Sequence, residues 1–223
     1  MEHPLNIFSF LPSEIIEKYL HVLMTFVVIL ISLVIGLIVS RKNKMVPDKT
    51  QNAIEVAVNG VYDMCMDIMG KDGKPYFPLV FAIGLYVLFS NVLGLVPGFS
   101  SPTANLNTTL APALIVFVTY NFIGIKKHGA GYIKHFMGPI LWLSPLMIVI
   151  EVIGHISRPV SLSVRLFGNI FGKEVLLMVL FMLVPFLVPL PIYFLGIFVA
   201  VLQTYVFMML TMIYISGALE EAH

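Results

Sequence analysis

Tyr19–Ser40 is apolar apart from His21 and a few hydroxyls. As a helix rising ~1.5 Å per residue it reaches ~33 Å, enough to cross the hydrocarbon core of a bilayer. In lipid every backbone N–H and C=O must be satisfied within the chain, so such a run is confined to a helix. Further apolar runs follow at Tyr76–Leu95, Thr109–Ile125, Phe136–Gly154, Val160–Val184 and Ile192–Gly217. The expected fold class is therefore all-α integral membrane, as a single membrane domain over residues 1–223. Composition agrees: 59% of the chain is hydrophobic and 11% is charged, against roughly 25% charged in a soluble domain.

The flanks of these runs orient them. Glu2, His3, Glu14, Glu17 and Lys18 precede the first run, which is not the basic start of a signal peptide, and no small-residue cleavage site follows. A retained first crossing over residues 19–40 is expected. It ends at Arg41-Lys42-Asn43-Lys44, and the 109–125 run ends at Lys126-Lys127-His128, with Lys134-His135 close behind. By the positive-inside bias both clusters are cytoplasmic, which puts the N-terminus outside. Gly98–Thr108 is a polar loop without charge and fits the external side. Between residues 47 and 71, Ile54, Val58, Val61, Met64 and Ile68 recur at helical spacing, with Asp63 and Asp67 elsewhere on the wheel. This segment reads as an amphipathic helix at the cytoplasmic interface or packed on its own bundle.

The last three runs leave two arrangements open. Three full crossings would bring the C-terminus outside. If Phe136–Gly154, a poor lone crossing with Pro139, Pro145 and Glu151, instead joins Val160–Val184 as one long bent helix over 136–184, the C-terminal Glu220 and Glu221 are cytoplasmic. Hydropathy alone supports either.

Arg165 is the residue with the most chemical consequence. A cation at membrane depth is costly, and such residues usually face a bundle interior or a wet cavity. Arginine does not lose its proton at any relevant pH, so Arg165 can hold an anion or block a cation but cannot relay a proton. Between Val160 and Gly217 the only other charges are Lys173 and Glu174. Ser161, Arg165 and Asn169 share one helical stripe, whereas Glu174 lies ~180° around and ~13.5 Å along. Glu151, fourteen residues before Arg165, returns to within ~40° of that stripe if the helix is continuous. One acid then stands on each side of the arginine along the axis. Gln203 on the following run can orient groups but not titrate.

Blander readings remain open at this point. Arg165 could snorkel to the interface, Lys173 could pair with an acid or reach an aqueous cavity, and Gln203 could be interhelical glue. His155 and His128 read as interfacial, and His21 as a packing histidine. No nucleophile motif supports catalysis, and no metal-ligand spacing or cofactor motif is present. The single cysteine, Cys65, cannot form an internal disulfide, and the net charge of +1 argues against a nucleic-acid partner. A fixed cation beside titratable acids suggests ion movement. A self-contained secondary transporter, with Arg165 binding an anionic substrate, is the alternative; the absence of an internal repeat weighs against it.

Arg158-Pro-Val-Ser-Leu-Ser-Val-Arg-Leu-Phe-Gly-Asn169 closely resembles the signature of subunit a of the F-type ATP synthase, the stator half of its proton channel. Leu202-Gln-Thr-Tyr-Val-Phe-Met-Met-Leu-Thr-Met-Ile-Tyr214 resembles that family's last helix. Asn91-Val-Leu-Gly-Leu-Val-Pro-Gly98 and Pro102–Leu110 supply a third match. The resemblance implies about five transmembrane helices plus the interfacial helix, the last two (136–184 and 192–217) long and tilted against a rotor ring. It implies a non-catalytic subunit of a bacterial inner membrane, with its C-terminus cytoplasmic and no cofactor. Its partners would be a ring of small hairpin subunits carrying the ion-binding carboxylate, a peripheral-stalk subunit and the lipid bilayer. Arg165 would face the ring; Asn169, Glu174 and Gln203 would belong to the external half-channel, Glu151 and Ser161 to the cytoplasmic one. Two departures stand out. Some members carry a histidine where this chain has Gly196, and some an aspartate where it has Asn105. Lys173 is an added charge beside Glu174.

Overall fold

The computed structural model describes residues 13–41, 48–96, 99–129, 144–183 and 189–220. The basic positions Lys42, Lys44, Lys134 and His135, and residues 136–143 and 184 of the segment expected to form one long helix, lie outside the described residues. The described residues form six α-helices: α1 (Ser13–Arg41), α2 (Lys49–Met69), α3 (Phe77–Leu93), α4 (Leu106–His128), α5 (Ser144–Leu183) and α6 (Pro189–Leu219). Two 3₁₀ turns, Lys71–Tyr76 and Pro102–Ala104, lead into α3 and α4, and no strand occurs among the described residues. Four segments are long and apolar enough to cross a membrane: Tyr19–Ile38, Lys71–Leu93, Leu106–His128 and Leu190–Leu219. The chain is an all-helical, multi-pass membrane protein.

α5 is of another kind. It has 40 residues, ~60 Å at the ordinary rise, and carries Glu151, Arg158, Arg165, Lys173 and Glu174. Pro159 lies inside α5 without ending it, although it offers no N–H to the His155 carbonyl one turn back. Of the two arrangements left open by hydropathy, the described residues thus show one helix on both sides of Pro159. Pro189 and Pro191 sit in the first turn of α6, where a missing N–H costs little.

Polarity is arranged inside out. Large apolar side chains such as Phe26, Leu30, Leu33, Val118, Phe122, Phe194 and Phe198 are exposed, while Ser90, Asn91, Thr103, Thr109, Ser163, Gln203 and Thr211 are buried. Lipid tails compete equally for apolar surface, so helix association rests on close packing and interhelical hydrogen bonds. The core draws Val80, Ile83 and Val87 from α3, Ala113, Val116 and Tyr120 from α4, Leu162 and Leu166 from α5, and Phe207, Met212 and Ile215 from α6. Gly84 lets α3 meet α6 at Met208, which a side chain there would strike. α2 joins this core through Cys65 and Met69, with Val61, Met64 and Ile68 packed against it. Its N-terminal half stays out, with Ile54 exposed.

Interhelical contacts define two ends. At one, Lys127 Nζ lies 3.0 Å from Asp72 Oδ2 and donates to the Leu219 carbonyl at 2.7 Å, while Ser216 Oγ donates to the Ile68 carbonyl at 3.0 Å. The lysine thereby satisfies a carbonyl at the negative end of α6. At the other end, Asn105 caps α4, its Oδ1 accepting from the Asn107 N–H at 2.9 Å. We call these the basic end and the loop end.

Candidate functional site

Arg165 lies on the face of α5 that no other described helix covers. Ser161 one turn before it, Asn169 one turn after it, Val164 and Gly168 are exposed with it, whereas Leu162, Leu166 and Ile170 are buried. The packed stripe therefore holds the helix, and the opposite stripe presents the guanidinium outward. Arg165 has no ion-pair partner among the described residues. Ser161 and Asn169 flank it along the stripe, as the helical period requires.

Asn169 is also where α5 meets α6. Its Nδ2 donates to Gln203 Oε1 at 2.8 Å. Gln203 is buried, and its Nε2 has no hydrogen-bond partner among the described residues. A buried amide left with an unused donor calls for a water or a partner group.

Glu174 is half-buried towards the loop end. Its Oε1 accepts a long, 3.4 Å hydrogen bond from the Ser101 N–H. Behind Ser101 runs a polar chain: Ser101 Oγ donates to the Ser90 carbonyl at 2.9 Å and contacts Thr103 Oγ1 at 2.7 Å, and Thr103 donates to Asn91 Oδ1 at 2.9 Å. Asn91 Nδ2, which is buried, has no hydrogen-bond partner among the described residues. Ser163, on the buried side of α5, meets Thr109 of α4 at 2.9 Å. These hydroxyls and amides from α3, α4 and the intervening loop were not singled out from sequence. The family-like Asn91–Gly98 and Pro102–Leu110 blocks were the available signal.

Glu151 is half-buried towards the basic end. Its Oε1 lies 3.4 Å from His155 Nε2 and 3.9 Å from Arg158 Nη2. At ~1.5 Å per residue, Glu151 stands ~21 Å before Arg165 and Glu174 ~13.5 Å beyond it. The structure thus gathers Asn169 with Gln203, and Glu174 with the Ser101 network, and keeps Glu151 apart from both.

Comparison with known proteins now bears on this arrangement. The family model described as ATP synthase A chain matches residues 22–216. The chain is 55% identical over 199 residues to ATP synthase subunit a 1 of Pelobacter propionicus, covering 89% of this chain and 87% of that one. It is 51% identical to ATP synthase subunit a 3 of the same organism over 100% of both chains. It is 54% identical to ATP synthase subunit a of Geobacter sulfurreducens, over 89% of this chain and 87% of the relative.

The chain belongs to the ATP synthase subunit a family.

Subunit a is a non-catalytic, proton-translocating membrane subunit, which places this chain in the stator proton channel of an F-type ATP synthase. In bacteria such subunits belong to the inner membrane. The departure at Gly196 has a steric counterpart in this structure. Gly196 of α6 is buried, and a Cβ added there would lie 2.7 Å from Leu95 Cδ2 and 3.1 Å from Lys173 Cδ. The Lys173 stem therefore occupies the room that a side chain at 196 would need. Lys173 Nζ is buried with no hydrogen-bond partner among the described residues. Adjacent residues on a helix diverge, so Lys173 turns towards α6 while Glu174 turns towards Ser101.

Proposed function

We propose that this subunit conducts protons through two offset half-channels that do not meet, with Arg165 between them. The arrangement that carries this reading is an unpaired arginine on the uncovered face of α5, with Glu174 nearer the loop end and Glu151 nearer the basic end. The rotating partner is a ring of small hairpin subunits, each supplying one carboxylate. Gly168 and Gly172 on the same face have open space around them, and small residues there favour close approach of a partner helix.

A proton enters past Glu174, with Asn169 and Gln203 orienting groups along the way, and neutralises a ring carboxylate. That carboxylate turns through lipid as an uncharged acid, which avoids the penalty of a bare charge in hydrocarbon. It loses its proton towards Ser161 and Glu151. Arg165 stabilises the ionised carboxylate between the two events, and its permanent charge repels a proton taking the direct route. The membrane potential supplies ~2.3 kcal/mol per unit charge per 100 mV. In this reading α1, α3, α4, α5 and α6 make about five crossings, α5 and α6 lie tilted against the ring, α2 rests at the cytoplasmic face and a peripheral-stalk subunit anchors the whole.

The basic end is cytoplasmic and the loop end external in this reading. Impermeant thiol labelling checks it. Ser101 is buried and a poor reporter, whereas Asn107 and Glu220 are exposed at opposite ends. In a Cys65→Ala background, Asn107→Cys reacts from outside intact cells and Glu220→Cys only after the membrane is opened. In the parent chain Cys65 is fully buried, and burial pushes its thiol pKa up, so labelling of the parent is slight. The reverse pattern overturns the orientation.

Gentle purification of the tagged chain brings with it a ring of small hairpin proteins with a carboxylate in mid-helix. A self-contained transporter with Arg165 binding an anion needs no such ring, so recovery of an active chain alone would decide against the stator reading.

A further inference from the structure

His155 is buried between three helices and has a carboxylate on its far side. Its Nδ1 lies 3.0 Å from Tyr120 Oη, and the two rings stack at 5.7 Å between centroids, 25° apart. Its Nε2 faces Glu151 Oε1 at 3.4 Å. Tyr120 is itself fully buried in α4, so the imidazole spans from the core to the half-exposed acid one turn before it.

Arg158 completes the cluster. Its guanidinium stands 3.9 Å from the same Glu151 oxygen and lies over the rings of Tyr120 and Tyr214, 5.7 and 5.4 Å from their centroids. Among the described residues, the groups facing this site include Tyr120 from α4, Glu151 and Arg158 from α5 and, through Arg158, Tyr214 from α6. Of these, Arg158 keeps its charge at every working pH. Histidine is the side chain whose charge ordinarily changes between pH 5 and 8.

We propose that His155 is a positioning residue of the basic-end half-channel, acting through Glu151 on proton release. This rests on the assignment of Glu151 to that half-channel. Nδ1–H donates to Tyr120 Oη, which leaves the Nε2 lone pair aimed at Glu151. A proton arriving on the Glu151 carboxyl passes to Nε2, leaving a carboxylate beside an imidazolium. Arg158 stabilises that carboxylate. Nε2 is buried, so the half-exposed carboxylate takes the proton back and gives it to water, and the ring is neutral again. Nδ1–H keeps the same acceptor in both states, so the ring need not turn over during the cycle. A histidine that merely packs against Tyr120 has no need of the acid opposite.

The test uses the whole ATP synthase in inside-out vesicles, with passive proton flux read after removal of the catalytic head, against pH on the basic-end side. His155→Gln lowers the flux roughly tenfold, below the ~10²–10⁴ expected for an obligatory proton-transfer group, because the half-exposed Glu151 can still release its proton to water without it. It also removes the inflection between about pH 5 and 8 that a titrating histidine confers. The double variant Glu151→Gln with His155→Gln is no slower than Glu151→Gln alone, because one route has been cut twice. Tyr120→Phe keeps the stacked ring, loses the hydroxyl and flattens the same inflection, which supplies the readout should His155→Gln assemble poorly. A parental rate and pH profile in either single variant, or additive losses in the double, overturns the role of His155. Arg165→Ala runs alongside. If it leaves coupling intact, the half-channel assignment has failed; if it abolishes coupling while His155→Gln is silent, only this inference has.

Discussion

Arg165→Ala abolishes proton-driven ATP synthesis in reconstituted vesicles while the complex still assembles. Assembly survives because the side chain lies on the uncovered face of α5 and makes no ion pair with the described residues. Nothing in the packed stripe of Leu162, Leu166 and Ile170 depends on it. Synthesis falls to background because the other arginine between the two acids, Arg158, is engaged with Glu151 and the rings of Tyr120 and Tyr214 and does not take its place. Without it a ring carboxylate between the half-channels has no counter-charge, and protons can cross without turning the ring. A passive leak is the expected companion, seen as faster decay of an imposed pH gradient. Arg165→Lys also fails or is badly impaired, since a lysine can shed its proton when desolvated, whereas an arginine holds it. Normal coupled synthesis by Arg165→Ala would sink the assignment.

Glu174→Gln slows proton flux strongly, with Glu174→Asp and Glu174→His retaining part of it. Glutamine keeps the size of the side chain and can still accept from the Ser101 N–H at a position like the 3.4 Å contact seen here. It cannot carry a proton. A purely anchoring role therefore predicts flux near the parental level, and a relay role predicts its loss. The same measurement against pH separates the part played by Lys173. With its ammonium buried without a hydrogen-bond partner among the described residues, within electrostatic reach of Glu174, and its stem against Gly196, Lys173→Ala changes the pH dependence of the flux more than its maximum. It also opens the room at 196. Gly196→His alone meets Leu95 and the lysine stem, so it disturbs packing, and shortening Lys173 with it relieves only the second of these contacts.

Much of this was legible in the residues. The apolar runs led to helices because a bilayer offers no other way to satisfy the backbone, and the Arg158–Asn169 block carried the family resemblance. The helical period placed Ser161, Arg165 and Asn169 on one stripe and turned Glu174 away from it. Two readings were blurred by local signals. The apolar pattern breaks between Gly154 and Val160, yet α5 runs through this stretch and through Pro159 within it, because losing one backbone bond in a long helix costs less than ending the helix in lipid. His155 looked interfacial, since a lone histidine near charged residues gives no hint of a tyrosine thirty-five residues upstream.

The sequence by itself determined that this chain is an all-helical membrane subunit of its family, and which side chains repeat along each helix face. The helical class follows from run length, the family from its resemblance over Arg158–Asn169, and the faces from the 3.6-residue period. The tertiary structure alone decided which faces meet. It put Gln203 against Asn169, Ser101 against Glu174, the Lys173 stem across Gly196 and Tyr120 on His155. Each contact joins residues far apart in the chain, and its partner is fixed by the rotation of one helix on another. That rotation is set by the packing of many side chains at once, and no local pattern along a single helix encodes it.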